Sequence, residues 1–225
     1  MIYLENIRKV FNQGRPNELI AVDGASLSIE SSKVTVLKGP SGSGKTTLLS
    51  LIGCMARPTS GRVRLNERDI SGLPERFLTA VRRETFGFIF QQFNLIKGLT
   101  TLENVMLPSY PSGKKYDLLR DRAMDLLNLF SLGHKAASKT EWLSGGEAQR
   151  AAIARALINN PPVIIADEPT AHLDTKLSRE FMEIMAGLHR EGRTIIIASH
   201  DLIVYDSDLV DTVIEMRDGR VENVG

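Results

Sequence analysis

The chain has 225 residues, 42% of them hydrophobic, which suffices for one α/β domain with a sizeable core. Its 28 basic and 27 acidic residues leave a formal charge of +1, so no broad basic field points to nucleic acid as a principal partner. The single cysteine, Cys54, excludes an internal disulfide, and its apolar setting reads as a buried thiol in a reducing compartment.

In chain order, residues 1–10 and 21–29 read as strands about a polar turn holding Gly14 and Pro16, an antiparallel hairpin. Residues 34–37 form a short apolar strand that runs through Gly39-Pro40-Ser41-Gly42-Ser43-Gly44-Lys45-Thr46 into a helix over 45–52. Residues 62–65 return to strand with a turn at Asn66, 74–84 to helix and 86–90 to strand. Beyond Gln91 the pattern changes. Leu118, Met124, Leu126, Leu127 and Phe130 recur at helical spacing after a loop at Pro108, Pro111 and Gly113. An Ala-rich helix then reaches Asn159, followed by a buried strand 163–166, a helix 177–191 and a second buried strand 194–198. Strands alternating with helices predict a largely parallel sheet covered on both faces. The apolar runs are strand-sized and the first residues carry no signal-peptide pattern, so the chain is expected to be cytoplasmic and to reach a membrane only by docking. Arg82-Arg83 and Lys114-Lys115 read as solvated faces.

The octapeptide from Gly39 to Thr46 matches the phosphate-loop pattern at every fixed position. Its glycines let backbone N–H groups converge on phosphate oxygens, the helix N-terminus adds partial positive charge, and Lys45 supplies a point charge. Thr46 would place its hydroxyl on Mg²⁺. Val163-Ile164-Ile165-Ala166-Asp167-Glu168 puts two carboxylates at the end of a buried parallel strand, where α/β sheets bind ligands. Asp167 is expected to hold Mg²⁺, and Glu168 to act as general base for the water attacking a γ-phosphate, with Pro169 restricting Glu168 to extended backbone.

In Leu143-Ser144-Gly145-Gly146-Glu147, Ser144 and Glu147 form a capping box that starts a helix. Gly145 and Gly146 occupy its first turn, where each costs up to about 1 kcal/mol against alanine. Close approach of an anion to exposed N–H groups would favour the missing side chains, which makes this a second phosphate-binding helix terminus. One chain with two such sites implies that two chains share two nucleotides. Trp142 is expected to pack beside this turn. Ser199-His200-Asp201 is no hydrolase triad, because three consecutive side chains cannot converge in that relay. His134 and His189 read as surface residues.

These motifs resemble those of an ABC-type ATPase subunit over essentially the whole chain. The resemblance implies an α/β P-loop NTPase fold of ABC type, with a mainly parallel sheet core, an antiparallel β subdomain and an inserted helical subdomain. It implies one nucleotide-binding domain over 1–225, the helical subdomain lying at about 92–160. Phe11 matches the aromatic that stacks on adenine, with a strand-end core residue as the lesser alternative. Gln91 matches the glutamine that touches Mg²⁺ and senses a membrane partner, and His200 the histidine at the γ-phosphate. The implied catalytic set is Glu168, His200, Gln91 and Lys45. The implied metal set is Thr46, Gln91 and Asp167. ATP would contact Phe11, the loop from Gly39, Pro40, Ser41, Gly42, Ser43 and Gly44 to Lys45, Thr46 and Thr47, and Gln91. Ser144, Gly145, Gly146, Glu147 and Asp174 would complete the nucleotide site. Ala171-His172-Leu173-Asp174 matches the loop that crosses the dimer interface, with His172 departing from the commoner small or amide residue.

Phe90-Gln91-Gln92-Phe93-Asn94-Leu95-Ile96, Leu99-Thr100, Glu103-Asn104-Val105 and Arg57-Pro58-Thr59-Ser60-Gly61 resemble the macrolide-export and lipoprotein-release group. That likeness implies an ATP-dependent head-to-tail homodimer under a separate transmembrane permease, peripheral on the cytoplasmic face of the inner membrane, with ATP and Mg²⁺ but no nucleic acid. The alternative is an ATPase that regulates cell-wall or division machinery through a membrane partner without moving a solute. A DNA-repair ATPase would need a long coiled-coil insertion, for which the chain has neither length nor heptads.

Overall fold

The computed structural model describes residues 1–171 and 173–225, so His172 lies outside the described residues. Strands β1 (Ile2–Phe11) and β2 (Leu19–Ile29) form the expected antiparallel hairpin. Their alternation slips at Asn6, which sits at φ 49° in a register shift, so Leu4 and Ile7 both face the core. Strand β3 (Val34–Lys38) is almost wholly buried and feeds the glycine loop and helix α1 (Lys45–Ile52). Strands β4 (Ser60–Leu65) and β5 (Arg68–Asp69) extend the hairpin to a four-stranded antiparallel sheet in the order β2-β1-β4-β5.

Helix α2 (Glu75–Thr85) leads into strand β6 (Phe86–Ile89), after which the chain turns helical. Helix α3 (Thr101–Met106) opens with a capping box in which Thr100 and Glu103 bond reciprocally. The Pro108, Pro111 and Gly113 stretch, expected as loop, is a 3₁₀ helix over Leu107–Ser112. Proline suits its first turn, where no N–H is needed, and Gly113 ends it at φ 69°. Helices α4 (Tyr116–Leu129) and α5 (Gly145–Leu157) complete the insertion. Strand β7 (Val163–Asp167), helix α6 (Thr175–Arg190) and strand β8 (Thr194–Ala198) follow as the apolar pattern predicts. Helix α7 (Leu202–Tyr205) and the hairpin of β9 (Thr212–Arg217) and β10 (Arg220–Val224) have no counterpart in the sequence reading.

The second sheet has the order β10-β9-β3-β8-β7-β6, parallel from β9 to β6 and antiparallel only at β10. Ile195 and Ile197 of β8 face the core under α3 to α6, whereas Ile196 and Ala198 face the core under α1 and the antiparallel sheet. Burial on both faces is why these strands are unbroken apolar runs rather than alternating ones.

Two expected surface features are tied into the fold. Arg82 donates to the Cys54 carbonyl at 2.7 Å and to Glu75 and Thr79, and Arg83 donates to the Pro111 carbonyl at 3.0 Å, so this pair stitches α2 to its surroundings. His189 is partly buried, its Nε2 lying 3.1 Å from the Ser32 carbonyl. Lys114 and Lys115 are exposed as expected. Among the described residues, no helix is long and apolar enough to cross a membrane.

Cys54 is buried, and burial pushes its thiol up to about 11. Thiolate being the reactive form, the folded protein should resist a water-soluble aromatic disulfide reagent at pH 8 and react fully once unfolded in urea. Immediate absorbance change in the folded state would show the site to be open.

Candidate nucleotide site

Parallel pairing sets Leu37 beside Ala198 and Ala198 beside Asp167, so the carboxyl ends of β3, β8 and β7 share one edge. The chain leaves β3 directly into Gly39. At the other end of the loop Gly44 caps α1 at φ 98°, and a Cβ there would stand 2.4 Å from the Ala21 carbonyl oxygen. Only glycine meets both demands. The loop is braced from outside: the Gly219 N–H donates to the Ser43 carbonyl at 3.1 Å, and the Asp23 N–H to the Gly219 carbonyl at 2.8 Å. The unread C-terminal hairpin therefore supports the phosphate loop.

A cleft of about 590 Å³ opens over this edge. Of the expected residues it is lined by Phe11, the loop from Ser41 to Thr47, Gln91, Glu168 and His200. Gly39 and Pro40 are not among its lining residues; their carbonyls instead accept from Lys45 Nζ at 2.7 and 3.1 Å. Leu19, Ile20, Ala21, Asp218 and Gly219 also line the cleft and were not read from the sequence. The signal for the last two was present: Asp-Gly between short apolar runs is a hairpin turn, here at φ 47° and 78°.

Lys45 is buried, and its third contact is Glu168 Oε1 at 3.2 Å. Two ammonium hydrogens thus donate to carbonyls and the carboxylate pairs with the charge, so every contact is with an oxygen that a phosphate would rival. The other Glu168 oxygen lies 2.9 Å from His200 Nδ1. Glu168 joins phosphate loop, β7 and β8 in one chain of contacts. Its backbone is not extended as Pro169 led us to expect, but left-handed at φ 44°. The Glu168 N–H still reaches the Ala198 carbonyl at 2.8 Å, so the ladder holds the residue while the chain turns and aims the carboxylate at Lys45. Such backbone costs of order 1–3 kcal/mol and persists where its surroundings over-determine it.

Two features fit a nucleoside triphosphate. Ser43 Oγ is buried with no hydrogen-bond partner, and a Cβ on Gly42 at φ 80° would meet nothing, so the loop has both an unused polar atom and open space. For a metal, the Thr46 hydroxyl donates to Asp167 Oδ1 at 3.0 Å. Burial pushes the Asp167 carboxyl above its ordinary range, opposed by that hydroxyl. Among the described residues no cluster of three or more His, Cys, Asp or Glu forms a cage. A hydroxyl with one carboxylate is the sparse donor set that suits Mg²⁺, which draws its remaining ligands from water and phosphate.

Ser144, Gly145, Gly146, Glu147 and Asp174 are absent from the lining of this cleft. The capping box is formed: the Ser144 N–H donates to Glu147 Oε2 at 2.8 Å, and this bond holds the Glu147 carboxyl below its ordinary range. The two glycines divide. A Cβ on Gly146 would stand 2.9 Å from a methyl of Leu177, so its absence serves packing of α5 on α6. A Cβ on Gly145 would meet nothing. Asp174 caps α6, accepting from the Leu177 N–H at 2.9 Å. Trp142, expected to pack, is 73% exposed, since the 3₁₀ turn Thr140–Trp142 buries Thr140 instead. His134 is exposed.

The family model described as "ABC transporter" matches residues 22–171. The macrolide export ATP-binding/permease protein MacB of Hyphomonas neptunium is 42% identical over 221 residues, 98% of this chain and 34% of its own length. The chain therefore spans about a third of the MacB relatives it matches. The ABC transporter ATP-binding protein MJ0796 of Methanocaldococcus jannaschii is 42% identical, covering 99% of this chain and 95% of its own. Two solved MJ0796 structures align over 100% of this chain and 98% of theirs. One, described as a dimeric cassette, has a TM-score of 0.90 at 40% identity. The other, a dimer in a post-hydrolysis state bound to ADP and Pi, has a TM-score of 0.91 at 39% identity.

The division of the glycines is testable. Gly145→Ala should leave the melting temperature unchanged or raise it, helix propensity adding up to about 1 kcal/mol of stability, yet lower ATPase activity. Gly146→Ala should leave the melting temperature below that of Gly145→Ala, since the Leu177 side chain must shift to admit the new methyl. Equal melting temperatures for the two variants, read by circular dichroism, would contradict the assignment.

Proposed function

The chain belongs to the ABC transporter family, and from that premise we propose how its residues divide the work and what it drives. As a cassette of that family with an α/β P-loop fold, it binds and hydrolyses ATP. The proposal rests on one observation: the phosphate loop, Glu168 and His200 converge in one cleft, while Ser144 to Glu147 lies outside it with Gly145 open. Each cleft is therefore completed by Ser144, Gly145, Gly146 and Glu147 of a second copy, in a head-to-tail homodimer holding two ATP molecules. The dimeric MJ0796 cassettes support this arrangement.

In this reading Phe11 receives the adenine beside Leu19 and Ile20, and the N–H groups from Ser41 to Thr47 receive the phosphates. Lys45 exchanges Glu168 and two carbonyls for phosphate oxygens. That exchange frees Glu168 to take a proton from the attacking water, with His200 holding its other oxygen and reaching the γ-phosphate. Mg²⁺ bound at Thr46, Asp167 and Gln91 would neutralise phosphate charge. Asp174 and its loop lie at the dimer seam. Closure depends on ATP binding the closed pair better than ADP does.

The MacB relatives carry permease segments in the same chain by their own description. We assign this chain a transmembrane permease as partner and a place on the cytoplasmic membrane face. The transporter is of macrolide-export or lipoprotein-release type. Residues 1–225 are taken as one nucleotide-binding domain, with its helical subdomain at about 92–160.

Glu168→Gln should retain ATP, lose turnover by about 10²- to 10⁴-fold and accumulate dimer in size-exclusion chromatography with ATP. Full activity in that variant would remove Glu168 from the base role. Ser144→Arg should bind ATP as the unaltered chain does and hydrolyse none; a dilute monomer of that variant that still turns over would refute the shared site.

A further inference from the structure

Arg155 lies on α5, ten residues beyond Gly145 and about 15 Å along the helix. It is 8% exposed, and burial lowers its guanidinium to about 10. Among the described residues no carboxylate pairs with it. Its fork is spent on backbone: Nη1 donates to the Asn94 carbonyl at 2.6 Å and Nη2 to the Phe93 carbonyl at 2.5 Å. The guanidinium carbon also stands 5.9 Å from the centre of the Phe90 ring. These three residues bracket Gln91.

The held segment is a strained one. Phe93 and Asn94 are both left-handed, at φ 57° and 50°. Two consecutive non-glycine residues in that region need an external restraint to persist. The far end is fixed separately, where buried Asn104 accepts from the Ile96 N–H at 2.7 Å and donates to the Ile96 carbonyl at 3.1 Å. A buried guanidinium without an anion is a poor source of stability compared with an apolar side chain of similar size. Its gain must lie in the geometry it specifies. Two parallel N–H groups can hold two successive carbonyls at a set spacing, which no single point charge can do.

We propose that Arg155 is a positioning residue for hydrolysis: by gripping the Phe93 and Asn94 carbonyls it fixes where Gln91 enters the cleft, and so ties the Ser144 end of α5 to the γ-phosphate side of the site. This rests on the role given to Gln91 above. Arg155 touches no nucleotide itself. Substrate binding through the phosphate loop should therefore be indifferent to it, whereas the chemical step should not.

The test is a double-mutant cycle in the full chain, combining Arg155→Met with Gln91→Ala and reading ATPase kcat, KM and thermal melting. Arg155→Met should lower kcat about tenfold with KM moving less than about twofold, and should cost less than about twofold more once Gln91 is gone. Arg155→Lys, the variant to use if Met does not fold, should remain impaired because it cannot fork, and it completes the same cycle. Losses that multiply in the double variant would overturn the proposal and leave Arg155 a structural residue. A Gln91→Ala variant with unaltered kcat would overturn the Gln91 assignment on which the proposal rests, so the two failures are told apart.

Discussion

The parallel register of β3, β8 and β7 is the constraint from which the rest follows. It places Leu37, Ala198 and Asp167 side by side, so that the chain leaves three strands within reach of one another. Lys45, His200 and Glu168 are then neighbours although they lie far apart in sequence. Their contacts at 3.2 and 2.9 Å satisfy a buried ammonium and a strained carboxylate together. Neither group is tolerable alone at that depth, because an unpaired charge out of water costs several kcal/mol. A ligand that offers phosphate oxygens to Lys45 breaks this mutual satisfaction and alters Glu168 in the same event. Binding and activation are thereby one rearrangement.

What could be read in advance was what local chemistry dictates. The phosphate loop, the buried strands ending at Asp167 and Ala198, and the capping box at Ser144 each carry their reason within a few residues. What escaped depends on distant segments. The left-handed backbone of Glu168 opposes its own following proline and is held by Ala198. Asp218 and Gly219 reach the cleft only because β9 pairs with β3. Arg82 and Arg83 look solvated until the carbonyls of Cys54 and Pro111 are found beside them. Trp142 failed in the opposite sense, an aromatic that intrachain packing leaves uncovered.

The signature pentapeptide shows how one motif can serve two requirements. Read as sequence, its glycines form a single helix-weakening pair. In space Gly146 answers to Leu177 within the chain, and Gly145 answers to nothing there. The same helix carries Arg155 at its far end, bonded to the loop after Gln91. Helix α5 is in this sense a rod with a function at each tip.

Among the described residues, strand β3 has only β8 and β9 as neighbours. Both come more than 150 residues later in the chain, and the brace on Ser43 comes from Gly219, later still. During synthesis at roughly 5–20 residues per second, the strand that presents the phosphate loop has no partner for about ten to thirty seconds. Its unpaired edges are exposed for that interval, and the ATP pocket cannot stabilise a partial chain because its supporting wall has not yet been made. The brace that Gly219 places on Ser43 exists only after translation has passed residue 219, so the phosphate loop is among the last parts of the chain to be fully supported.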